Sequence, residues 1–116
     1  MSVHWIGTYN YKGSIGVLVE LSTLTSSIQT KIDFKAFADD IAMHIAATNP
    51  KSIQELLSQP FVKNPELLLS ELMSIKSKEL HDSISISRFI RWKEGQNDNE
   101  PEPIKDPAMA VKSKRA

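Results

Sequence analysis

No cysteine occurs in the 116 residues of this chain, which excludes disulfides and thiolate-held metals at once. Charge of one sign is missing too, with 14 Lys and Arg against 14 Asp and Glu. A nucleic-acid binder draws most of its affinity from neutralising phosphates and usually carries a basic surplus. Nucleic acid is therefore expected to enter only indirectly. No apolar run approaches the ~20 residues that cross a bilayer, so no membrane partner is expected. Residues 1–5 have neither the charged start of a signal peptide nor the Arg-rich bias of a transit peptide. The expectation is a cytoplasmic protein, or one of an organelle matrix if a presequence has been removed.

Chemistry-bearing patterns are equally scarce. The four glycines are scattered and form no phosphate-cradling loop. His4, His44 and His81 fall in separate stretches, without the close spacing of a zinc motif. Asp39 and Asp40 are a pair by sequence only, because helical neighbours point about 100° apart. Ser22, Ser26 and Ser27 lack the strand-turn-helix context of a nucleophile elbow. No catalytic residue, metal ligand or cofactor site is expected, and binding rather than catalysis is the function class.

What is present is a clear alternation of elements. Residues 3–11 are rich in aromatic and β-branched side chains, and Ile15, Val17, Val19 and Leu21 alternate with Gly16, Leu18 and Glu20. Lys12-Gly13 between them predicts a tight hairpin. The Ser/Thr-rich segment 22–30 predicts a loop. Phe34, Phe37, Ala38, Ile41, Ala42 and Ile45 recur at helical spacing after a capping Asp33, and Asn49-Pro50 ends the run. Ser52-Ile53-Gln54-Glu55 resembles a capping box for a short helix over 52–58, broken by Gln59-Pro60-Phe61. Asn64-Pro65 predicts an N-cap and first helical residue, with Leu68, Leu69, Leu72, Met73 and Ile75 carrying the helix to about Leu80. Ile84, Ile86, Ile90 and Trp92 predict a third strand. From Gly95 the composition turns polar and proline-rich, which predicts a core domain over 1–95 and a disordered tail over 96–116. The order β-β-α-α-β gives an α+β fold, a two-layer sandwich with helices on one face of a three-stranded antiparallel sheet.

Trp5, Tyr9 and Tyr11 share one face of the first strand, with Lys12, Arg88, Arg91 and Lys93 near them on the sheet. Such a set can stack single-stranded bases, but a face packed on helices or on a partner is the favoured reading. A sheet covered on one side leaves the other exposed, and an exposed apolar sheet face marks a protein interface. Trp5, Tyr9, Tyr11, His44, Arg88 and Arg91 are the candidate interface residues. His44, flanking the apolar stripe, reads as a packing residue.

Residues 13–21, GSIGVLVEL, resemble the G-R-I/V-G-V-L-V-E strand of elongation factor Ts, the exchange factor for the translational GTPase elongation factor Tu. Residues 34–50, FKAFADDIAMHIAATNP, are similar to that family's signature helix. LSQPFVK at 57–63 and SRFIRWKEG at 87–95 resemble its L-x-Q-P-F-I/V-K and R-R-F-x-R-F/Y-x-x-G segments, so the likeness runs in order over residues 3–95. The resemblance implies binding to an elongation-factor-Tu-type GTPase. It also shows departures: no ubiquitin-associated-like N-terminal module, and no coiled coil after Asn49-Pro50. The family's Thr-Asp-Phe-Val wedge is replaced by Thr25-Ser26-Ser27-Ile28. In the family that Asp-Phe pair disturbs the GTPase's magnesium and phosphate environment; two serines offer neither ring nor carboxylate. The implied function is a docking module with weak or lost exchange activity, pairing with the GTPase or with its own copy. The alternative is a structural subunit of a ribosome-associated or other ribonucleoprotein assembly. The candidate partner loop is Thr25, Ser26, Ser27 and Ile28.

Overall fold

The first two strands form because apolar and polar residues alternate with the period of a half-buried strand. In the computed structural model, which describes residues 3–95, they are β1 (Val3–Tyr11) and β2 (Ile15–Thr23), paired antiparallel from Val3–Thr23 to Tyr11–Ile15. Lys12 and Gly13 both take positive φ, 54° and 77°, as the tight turn of a right-twisted hairpin requires. Asn10 fixes that turn by accepting the Gly13 N–H at 2.8 Å.

Helix α1 (Ile32–Thr48) crosses the hairpin and buries Phe34, Phe37, Ala38, Ile41, Ala42 and Ile45. The crossing is close at Gly7, where a Cβ would stand 2.6 Å from the Ala38 carbonyl oxygen. Asp39 of the same helix turn accepts the Thr8 N–H at 3.0 Å, satisfying a donor on the edge strand. Asp33 does not cap the helix. Lys31 occupies the cap position without a side-chain bond, and Asp33 lies in the first turn, where its charge favours the helix dipole. The C-terminal prediction holds: Asn49 is left-handed at φ 49° and its N–H returns to the Ile45 carbonyl.

Helix α2 (Ile53–Leu57) starts as its sequence predicts. The Ser52 hydroxyl accepts the Glu55 N–H at 3.0 Å, and the Glu55 carboxylate reaches back to the Lys51 N–H. The next segment departs from expectation. Asn64-Pro65 opens no helix; β3 (Pro60–Phe61) and β4 (Asn64–Leu68) form a small hairpin, and α3 starts later (Leu69–Glu79). Pro65 is tolerated in β4 because that sheet has only two strands, so a missing donor need not break a ladder. The true start signal is Glu71, whose carboxylate accepts the Leu68 N–H at 2.8 Å.

Strand β5 (Ser85–Lys93) closes the sheet in the order β1-β2-β5, all antiparallel, with a bulge that skips Ser87 between Arg88 and Ile86. The α+β sandwich predicted from the sequence is therefore the architecture, with the β3–β4 hairpin added. Val17, Val19 and Leu21 from the sheet meet Phe34, Ile41, Ile45, Leu56, Phe61 and Leu69 in one core. The loop predicted over 22–30 is partly ordered: β2 continues to Thr23, and Ser27–Thr30 forms a 3-10 turn. The tail predicted over 96–116 lies outside the described residues.

Candidate functional site

Two surfaces emerge, one at the end of β2 and one on the sheet's uncovered face. The first is the segment 24–28. A carboxylate from the α3–β5 connection supplies partners for its first two backbone donors. Asp82 accepts from the Leu24 N–H at 2.8 Å, the Thr25 N–H at 3.2 Å and the Thr25 hydroxyl at 2.8 Å. Desolvation, the largest single influence on Asp82, acts upward. The donors Leu24, Thr25 and Ser83 together outweigh it and hold the carboxyl below its ordinary range. Thr23 adds a hydroxyl bond to the Thr25 carbonyl at 2.9 Å.

This clamp presents Leu24, Thr25, Ser26 and Ser27 outward, with Leu24 61% exposed. Ile28 is not part of the presented surface. At 2% exposure it belongs to the core, so its role is to anchor the loop, not to touch a partner. Asp82 was not legible as a site residue, because its targets lie 57 and 58 residues away. Its position after the helix end was the only available hint.

The second surface separates the candidate interface residues into two groups. Trp5 and Tyr9 face inward: Trp5 meets Phe34 edge-on with centroids 6.5 Å apart, and both pack against the core. Tyr11, half exposed, lies on the same side and lines a cleft with Met43, Ala46 and Ala47. The reading of that face as helix-packed is the one the structure follows.

His44 is fully buried. Its Nδ1 accepts the Val62 N–H at 3.2 Å, which places the proton on Nε2 for donation to Gln59 at 2.8 Å. Phe61 stacks on the ring at 5.4 Å. Burial pushes the imidazole below its ordinary value, against a smaller upward pull from Gln59. Arg91 is buried as well, with Nε donating to the Ala46 carbonyl at 3.2 Å. His44 and Arg91 thus tie α1 to the β3–β4 hairpin and to β5 respectively, and neither is placed on the open face.

Arg88 alone of the six candidates stands on the open face, paired with Glu20 at 2.9 Å. Its neighbours there are Ile6, Leu18, Ile90 and Trp92, of which Ile6, Leu18 and Trp92 are 50%, 49% and 59% exposed. The candidate interface residues Trp5, Tyr9 and Tyr11 thus lie on the helix-packed side of the hairpin, away from the open face. The alternation itself held the signal, because β2's continuous apolar series Ile15 to Leu21 had to face α1, and β1 residues directly opposite them share that face. Among the described residues, no group of His, Cys, Asp and Glu could hold a metal ion, and no helix is long and apolar enough to cross a membrane.

A family model described as elongation factor TS matches residues 2–56. Elongation factor Ts of Alkaliphilus metalliredigens is 29% identical, over 78% of this chain and 63% of that protein. The corresponding protein of Thermodesulfovibrio yellowstonii is 27% identical, over 82% of this chain and 70% of its own length. That of Bdellovibrio bacteriovorus is 26% identical, over 72% and 42%. The chain thus spans about 63% of the length of the first of these relatives. Its alignment runs to 136 positions against 116 residues here, so that relative carries residues inside the matched region that this chain does not. The matched residues 2–56 hold the hairpin and the crossing helix, and the chain is similar to elongation factor Ts over 72–82% of its length.

Proposed function

We propose that this domain is a translation-related binding module that docks on an elongation-factor-Tu-type GTPase and accelerates nucleotide release weakly or not at all. The observation that carries the reading is the clamped loop. Asp82 holds Leu24 and Thr25, and the exposed side chains that follow, at the family's Asp-Phe positions, are those of Ser26 and Ser27. An exchange factor must stabilise the GTPase in a form that holds nucleotide poorly. A ring that fills a pocket and a carboxylate that competes with phosphate both serve that end, and two hydroxymethyl groups do neither. Loss of one buried Phe forfeits about 2–3 kcal/mol of burial, on the order of a 30- to 150-fold effect.

The test is release of labelled GDP from a Tu-type GTPase, run beside a binding measurement on the same proteins. Measurable binding with little acceleration supports the reading. Full-rate release at stoichiometric protein overturns its exchange half, and absence of binding overturns its docking half. A pull-down returning ribosomal or other complex subunits in place of the GTPase would favour a structural role in a ribonucleoprotein assembly.

A further inference from the structure

The β3–β4 hairpin, residues 60–68, puts one side chain into the core, that of Phe61, while Val62 to Glu66 and Leu68 are exposed. Its strands form a sheet of their own, so no ladder bond ties them to β1-β2-β5. Toward α1 the hairpin has three ties. Phe61 stacks on the His44 ring, the Val62 N–H donates to Nδ1 of the same ring, and the Lys63 ammonium meets the Asp40 carboxylate at 3.2 Å. Two of the three therefore depend on one imidazole. At the base, the Leu69 N–H donates to the Gln59 carbonyl at 3.0 Å, which keeps the two ends of the hairpin together if its tip moves.

We propose that β3–β4 is a latch on α1, held shut by the neutral His44 ring and opened by its protonation while α1 and the three-stranded sheet stay folded. The shut form needs Nδ1 as a bare acceptor. Nε2 already carries the proton given to Gln59 Oε1, on which the Thr48 hydroxyl also donates. A second proton can go only to Nδ1, where it would face the Val62 N–H donor to donor. The resulting imidazolium would also be buried without a counter-ion, which is strongly unfavourable. Among the described residues no ion pair reaches His44. The charged groups on the surrounding elements are turned elsewhere: Asp40 and Lys63 to each other, Glu55 to the Lys51 N–H, Lys76 to Glu79, and Arg91 to the Ala46 carbonyl, with Glu66 exposed on β4. Swinging the hairpin away relieves the clash and wets the ring without breaking a bond of the main sheet. Burial lowers the ring's proton affinity in the shut form, and an open ring regains its ordinary value of 6.5. Opening should therefore grow as pH falls from 6.5 toward the lowered value, by up to about tenfold per pH unit, and level off beneath it. The latch does not rest on the GTPase reading, which uses the segment after β2.

Amide hydrogen exchange of the full chain, followed by NMR from about pH 7.5 to about pH 5 and corrected for the intrinsic pH dependence of exchange, reads opening residue by residue. The Val62 amide should be protected at least about tenfold less than those of Val19 and Ile41 at every pH, the mark of an opening smaller than global unfolding. Its protection should fall by up to about tenfold per pH unit below 6.5. His44→Asn keeps an acceptor near the place of Nδ1 but takes up no proton, so the pH slope at Val62 should vanish. Asp40→Asn cuts only the exposed tie to Lys63, and it should raise opening at every pH while leaving the slope as in the parent. Where His44→Asn does not fold, the parent and Asp40→Asn carry the test. Val62 exchanging in step with Val19 and Ile41, or holding the same protection from about pH 7.5 to about pH 5, would overturn the proposal. So would a slope that survives His44→Asn or disappears in Asp40→Asn.

Discussion

Two side chains do at the residue scale what no backbone pattern could. His44 makes both of its ring-nitrogen bonds inside the protein, to Gln59 and to the Val62 N–H. Truncation to Ala leaves those partners unsatisfied beside a vacated stack, and about 2–4 kcal/mol of stability should be lost in urea denaturation. The pH dependence follows from its lowered folded-state value. Protonation is easier in the unfolded chain, so the His44 contribution is whole above the ordinary value of 6.5 and declines as pH falls from there toward the folded value. Denaturation midpoints measured from pH 7.5 to pH 5 should fall in the parent and fall less steeply in a His44→Gln variant. Asp82 also has a lowered folded-state value, and its contribution is present above the ordinary 3.8 and lost as pH drops through the folded value. Asp82→Asn keeps the shape but offers one carbonyl oxygen where two carboxylate oxygens serve. The amide resonances of Leu24 and Thr25 should move in that variant while those of the α1 core stay in place. Shifts spread evenly over the domain would contradict a local clamp.

Elements repeat the lesson at larger size: whatever was set by neighbours in sequence could be read, and whatever was set by distant chain could not. The hairpin was legible because alternation and Lys12-Gly13 agree, and α1 because its apolar stripe runs unbroken to Asn49-Pro50. The β3–β4 hairpin was not legible, because Asn-Pro is also a good helix start and only the need to bury Phe61 against His44 decides otherwise. The candidate site divides in the same way. Residues 25–27 could be placed by aligning a motif, but the carboxylate that holds them, and the side of the sheet left open, depend on how α1 lands on the hairpin. That landing point is Gly7. In an isolated strand Ala is the better residue by conformational entropy, yet here its methyl would press on Ala38 at 2.6–2.8 Å. Gly7→Ala should therefore destabilise, by about 1–3 kcal/mol, with α1 displaced from β1. A neutral or stabilising effect in thermal unfolding would mean that the crossing can relax without cost.

For the molecule as a whole, the proposed function would separate holding a partner from acting on it. The loop's position is set by Asp82, Thr23 and the buried Ile28, whereas its outward chemistry is set by Ser26 and Ser27, which contribute nothing to the core. Side chains at those positions can therefore change without refolding the domain. The Ser27 carbonyl, which accepts the Thr30 hydroxyl at 2.8 Å, is kept by any substitution there. Ser26→Asp with Ser27→Phe introduces the carboxylate and the ring of the Asp-Phe pair that the proposed function finds replaced here. The double variant should unfold at nearly the parent temperature and accelerate GDP release at least tenfold over it, the lower part of what one reburied Phe can supply. Binding should tighten less than release accelerates, because a wedge spends part of its interaction energy on the nucleotide-poor form. If the double variant binds the GTPase as the parent does and still leaves GDP in place, the clamped loop does not point at the nucleotide site, and docking must use another surface of the domain.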